Sequence, residues 1–176
     1  MIEADQRSQQ VRMIEEELLH LLERERDACA ALLAAAQEAQ EALRSGDAAR
    51  ISEAYRVHLR RLGDVHRSEL ACRTALHEWA DLHDMVGASV RWVDLASRLD
   101  PERSRRVMAL VESILDHLWQ LSIVNRCNRA LVGSALKLNM AILHQVSGNE
   151  SSPVVYEASG LRRHATQSFR FLERRA

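Results

Sequence analysis

PERSRRVMALVESILDHLWQLSIVNRCNRALVGSALKLNMAILHQVSG, residues 101–148, decides the fold. Asp100 precedes it as a helix N-cap, Pro101 takes the first helical position, and Glu102 sits in the first turn. From there Val107, Leu110, Ile114, Leu118, Leu121, Asn125, Asn128, Val132, Ala135, Asn139, Ile142 and Val146 recur at spacings of three or four, one face of an unbroken helix. Gly148 is placed to end it. Asparagines on such a face are not chosen by packing, because a buried amide without a partner costs about 1–3 kcal/mol. Asn125, Asn128 and Asn139 either fix register against each other and the backbone, as a seam asparagine does in coiled coils, or mark an open stretch that meets a partner helix.

Working back from that helix, two more long ones appear. The first is expected over about residues 5–45, with Val11, Ile14, Leu18, Leu21, Ala28, Leu32, Ala35 and Ala39 on its stripe and Glu25 interrupting it. Leu19, Leu22, Leu33 and Leu43 widen the stripe towards a second neighbour, and the alanine-rich middle favours helix and close approach. Gly46 suits a left-handed position after the helix and Asp47 caps the next one, so the two form an antiparallel hairpin. The second helix is expected over 48–83, with Ile51, Tyr55, Leu59, Leu62, Val65, Cys72, Leu76 and Trp79 inward and a mixed-charge solvated face outward. Between Asp84 and Leu99 the pattern softens at Gly87, and 88–99 reads either as a short separate helix or as a continuation.

The fold class is all-α: an elongated antiparallel bundle of three long helices, a shorter connecting helix and a mobile basic C-terminal tail. The composition agrees, with Gly 6 and Pro 2 in 176 residues and aromatics at 4%. The bundle is assigned to 1–147, and 148–176 to a loop and tail. The tail, LRRHATQSFRFLERRA, sets Leu161, Phe169 and Leu172 among five arginines. Three amphipathic helices leave apolar surface uncovered, and a fourth position is open to the tail, to a second copy as a homodimer of the free chain, or to another protein.

The formal net charge of −1 offers no field for gripping nucleic acid, and the basic tail lacks an aromatic stacking set. No apolar run approaches about 18 residues, so no direct membrane insertion is expected. MIEADQRSQQ lacks the basic start and apolar block of a signal peptide, which points to the cytoplasm. Cys29, Cys72 and Cys127 are odd in number, far apart and each within a helical pattern, and read as small reduced core residues. Glu17-x-x-His20 has the spacing of a di-iron bundle ligand pair, but no second copy follows it, so neither metal nor cofactor is assigned. No nucleophile elbow, phosphate loop or Cys–base pair is present, and the chain does not read as an enzyme.

LLHLLERERDAC (18–29) followed by RSGDAARISEAYRVHLRRL (44–62) resembles the first hairpin of the FlgN family of flagellar type III export chaperones. LSIVNRCNRALVGSALKLNMAIL (121–143) is similar to that family's leucine–asparagine segment, and PVVYEASG (153–160) to its closing Tyr-x-x-x-Gly element. The resemblance covers nearly the whole chain. It implies a cytosolic chaperone that holds the C-terminal helical segments of hook–filament junction proteins unassembled and delivers them to the export gate. By the same resemblance, substrate meets Asn125, Asn128, Leu131, Val132, Ala135, Leu138, Asn139 and Ile142 on the last helix and Leu161, Phe169 and Leu172 in the tail. Tyr156 and Gly160 would then dock to the cytoplasmic domain of the export-gate membrane protein. The chain departs from the family in its long basic end and in the segment 84–99, which bear on which substrate it serves. The competing class is a non-enzymatic, self-associating helical adaptor unrelated to secretion.

Overall fold

A computed structural model describes residues 2–85 and 90–147, and within them the chain is all-α: α1 Ile2–Ser45, α2 Ala48–Leu82, α3 Trp92–Ala96 and α4 Pro101–Ser147. Gly87, Gly148 and the tail lie outside the described residues. The chain divides into two compact units, residues 1–137 and 138–176, so the division falls within α4.

In the first unit, α1 and α2 form an antiparallel hairpin. Gly46 turns the chain with φ 70°, a conformation that costs glycine little. Asp47 Oδ1 accepts from the N–H groups of Ala49 (2.8 Å) and Arg50 (3.2 Å), satisfying donors that the first turn of α2 leaves open. Near this turn the interface is built from alanines: Ala39, Ala42 and Ala54 are buried, with Ile51 and Tyr55 packed against them. Small side chains bring the α1 and α2 backbones closer than any other pair. That closeness corrects the expected inner face of α2, because Leu59 is 65% exposed and Leu62 49%. An alanine interface leaves no depth for leucine, so these two are carried round the helix to solvent.

Towards the open end of the hairpin the core thickens. Leu18, Leu22, Leu32, Cys29, Cys72, Trp79, Leu95 and Val107 are its largest fully buried side chains. Trp79 lies 4.3 Å from the His83 ring and beneath the Arg98 guanidinium at 5.9 Å. Arg7 closes the end of α2, donating to the Leu82 carbonyl (2.6 Å) and the Asp84 carboxylate (2.8 Å). α3 is a separate short helix whose Asp94 carboxylate accepts from the Arg91 backbone N–H at 2.9 Å and whose Leu95 and Ala96 are buried. This resolves the ambiguity at 88–99.

α4 starts as its sequence indicates, with Asp100 Oδ1 accepting from the N–H groups of Glu102 and Arg103 at 3.0 Å each. It then runs parallel to α1. Arg103 reaches Glu15 and Glu16 at 3.4 Å each, Arg106 pairs with Glu23, and the Asn128 amide donates to the Ala36 carbonyl at 3.0 Å. Val107, Leu110 and Ile114 carry the apolar contact.

The expected seam of α4 is corrected beyond Asn128. Val132, Ala135, Asn139, Ile142 and Val146 are all exposed, as is Leu118 earlier in the helix. Asn128 is level with Ala36, and past that point α1 offers Ala39 and Ala42, so Val132 and Ala135 lose apolar cover before α1 ends at Ser45. In the second unit, Leu138–Ser147 is helical and Leu138–Val146 is exposed throughout.

By length and composition alone α4 is long and apolar enough to cross a membrane: an 18-residue window within Pro101–Val146 reaches a mean hydropathy of 1.4, which does not indicate insertion. Between Pro101 and Ser147 no uncharged stretch exceeds the ten residues 138–147, whereas a spanning helix needs about 20 predominantly apolar ones. The average therefore records apolar surface distributed around an exposed helix.

Candidate functional site

A cleft of about 390 Å³ lies in the first unit where α1, α2 and α4 meet near the Gly46 turn. Ala39 forms its floor from α1, Tyr55 and His58 come from α2, and Asn125, Asn128, Arg129 and Val132 from α4. The local sequences explain the opening. The α1 side offers only alanine, and α4 offers amides where its upper turns offer Val107, Leu110 and Ile114, so the three helices do not close over a common apolar core.

The polar groups of the cleft are incompletely satisfied. Asn128 is 6% exposed and its amide nitrogen is bound to the Ala36 carbonyl, but its Oδ1 is buried with no partner among the described residues. His58 Nδ1 is also buried without a partner, and burial pulls the ring's pKa below its usual value, keeping it neutral. The Tyr55 and His58 rings meet edge-on at 6.5 Å. Arg129 is exposed and makes no ion pair within the described structure.

Of the substrate-contact residues expected from sequence, Asn125, Asn128 and Val132 come together in this cleft. The three asparagines do not share one environment: Asn128 is buried, Asn125 is exposed at the rim, and Asn139 is exposed in the second unit. At 100° per residue, Asn125 sits about 60° round the helix from Asn128, enough to move it from seam to rim. Leu131 is half-buried, and Ala135, Leu138 and Ile142 are exposed. Leu161, Phe169, Leu172, Tyr156 and Gly160 lie outside the described residues. Sequence reasoning missed Ala39, His58 and Arg129 as site residues and had placed Tyr55 only as a packing residue. The one available signal was His58 following Tyr55 by three positions, the same face of a helix.

Chemically the site offers apolar surface, amides, a phenol, an imidazole and a guanidinium, a set that can receive a helix. Among the described residues no group of three or more potential metal ligands is clustered. Glu17 and His20 are exposed, and His20 faces Glu23 at 3.6 Å.

The family model described as FlgN protein matches residues 13–164. No curated protein and no solved structure matches the chain. The family match begins within α1 and runs past the end of α4, taking in the hairpin, the cleft and the exposed end of the last helix alike. The chain therefore belongs to the FlgN family of flagellar export chaperones.

Proposed function

We propose that this chaperone acts in the cytoplasm on the hook–filament junction proteins, covering their C-terminal helical segments, preventing premature assembly and handing them to the export gate. The observation that supports this most is the exposure of the later part of α4: Leu136, Leu138, Met140, Ile142, Leu143 and Val146 are each about half exposed or more among the described residues. An apolar helical face of that kind is a liability for a free protein and a site for an amphipathic partner helix. In this reading Asn125, Asn128, Leu131, Val132, Ala135, Leu138, Asn139 and Ile142 contact the substrate helix. Leu161, Phe169 and Leu172 close over it from the tail. Tyr156 and Gly160 form a separate element that docks to the cytoplasmic domain of the gate protein.

The test is capture of junction-protein C-terminal segments by the full chain and by a chain lacking residues 148–176. Truncation is expected to abolish capture while circular dichroism stays strongly helical. A truncated protein that still co-purifies with the segment would remove the tail from the site. Tyr156→Ala is expected to spare substrate capture and weaken gate docking. Equal loss of both would make Tyr156 a folding residue.

A further inference from the structure

The cleft continues along α4 as a stripe that no described element covers. Leu118, Ser122, Asn125, Arg129, Val132 and Leu136 follow one another at spacings of four and three, and every one is exposed. Apolar residues form both ends and the middle is polar, so the stripe has the length and pattern of a seat for one further helix.

Its charge is one-sided. From His117 to Ser147, α4 contains no Asp or Glu, and its charged residues are Arg126, Arg129 and Lys137. None of the three makes an ion pair among the described residues, whereas earlier in the same helix Arg103 reaches Glu15 and Glu16 and Arg106 reaches Glu23. A helix that neutralises its cations elsewhere and leaves them bare along an apolar stripe is complementary to a negative partner.

The geometry points to an amphipathic helix bordered by Asp or Glu as the occupant of this stripe, its apolar side on Leu118, Val132 and Leu136 and its carboxylates on Arg126, Arg129 and Lys137. The inference rests on the chaperone reading above and specifies the chemistry of the segment recognised. The charge pattern disfavours the other two occupants. Residues 161–176 carry five arginines against Glu173 and would set cation against cation. A second copy would bring the same three cations to the same face.

The experiment uses the full chain and two synthetic helical peptides with one leucine–alanine stripe, flanked by Glu in one and by Lys in the other. Fluorescence anisotropy at low salt is expected to show the Glu-flanked peptide binding about tenfold tighter or more, with the difference shrinking as salt screens exposed charges. In R126E/R129E the preference is expected to reverse, and Arg129→Gln alone to reduce it. Val132→Asp is expected to weaken both peptides. All these positions are exposed, and far-ultraviolet circular dichroism confirms that each variant is folded. A Lys-flanked peptide that binds as well overturns the inference, as does a peptide of residues 161–176 that outcompetes the Glu-flanked one, which would make the tail the occupant. If junction-protein segments bind the wild type and R126E/R129E equally, the charge inference alone fails. If the Glu preference holds and no junction-protein segment binds, the substrate reading fails and the chemistry of the stripe stands.

Discussion

Asn128 donates through its amide nitrogen to the Ala36 carbonyl, and its Oδ1 is left buried and unpaired. A half-satisfied amide contributes little net stability, since the desolvation of the orphaned oxygen offsets the bond that is made. Asn128→Leu is therefore expected to leave the urea midpoint unchanged or to raise stability by up to about 1 kcal/mol. A loss above about 2 kcal/mol would mean that the amide holds α4 in register against α1. The neighbouring His58 resists protonation in the folded chain, where an unfolded histidine takes a proton near pH 6.5. Its contribution to stability is whole above that pH and falls as pH drops below it, and His58→Phe should flatten this acid limb in melts run from pH 7 to 5. The thiols act at the other extreme. Burial, with Glu25 and Glu69 adding negative charge, pushes Cys29 up to about 11 from 9.0, and burial and Glu25 push Cys72 up as well. Both stay protonated where the unfolded thiols ionise, so stability is full below pH 9.0 and declines as pH rises from there. At pH 8 a thiol reagent should label exposed Cys127 at once and reach Cys29 and Cys72 only on unfolding. Three fast thiols would contradict the buried positions.

At the scale of elements, what the sequence revealed was what local chemistry controls. Gly46 with Asp47, and Asp100 with Pro101, announce helix boundaries because each acts on its own backbone and its nearest neighbours. Asp47→Ala should cost about 1 kcal/mol of stability in denaturant unfolding through the lost cap. Gly46→Ala should cost a comparable amount, because a side chain at φ 70° is strained even where space is open. The misread positions depend on distant partners. Leu59 and Leu62 have the spacing of core residues, and only the alanine contact between α1 and α2 turns them outward. The seam of α4 keeps its period to Val146, but burial stops at Asn128, level with Ala36, and no residue within α4 records that α1 turns to small alanines there. For the same reason the cleft was half visible: its α4 wall is a run of spaced residues, whereas Ala39, Tyr55 and His58 join it only through tertiary packing. Leu138–Val146 is helical and exposed among the described residues, and a helix of that length is marginal without support. Its amides are expected to exchange with solvent far faster than those of Leu110–Ile114, and to slow when substrate binds. Equal protection in the two stretches before substrate is added would show that something already covers the end of α4.

Over the whole molecule, Leu115, Leu118, Trp119, Val132, Leu136, Leu138, Met140, Ile142, Leu143 and Val146 expose apolar surface along one helix. Large apolar side chains exposed in that number along one helix mark an interaction surface. The folded chain at neutral pH should therefore bind a hydrophobic dye such as ANS, and a docking helix should displace it. A native chain that leaves the dye dark would mean the patch is covered in solution. Composition concealed this property, because charge is balanced overall and the imbalance appears only when α4 is read by itself. Its first turns bear Glu102, Glu112 and Asp116 among arginines, and its remainder bears cations alone. The family resemblance indicated a chaperone from the order of short motifs, and the helices add where on the chain a cargo helix would lie.

Cys127 stands beside Asn128 in sequence and two residues before Arg129, which at 100° per residue puts it on the opposite side of α4 from the stripe. It is exposed, against the core position expected from its helical pattern, while the other two cysteines are buried. The native chain thus carries a single addressable attachment point behind its docking face. A nitroxide or fluorophore placed there would report the arrival of cargo, and distances to it, without any engineered residue and without occupying the seat.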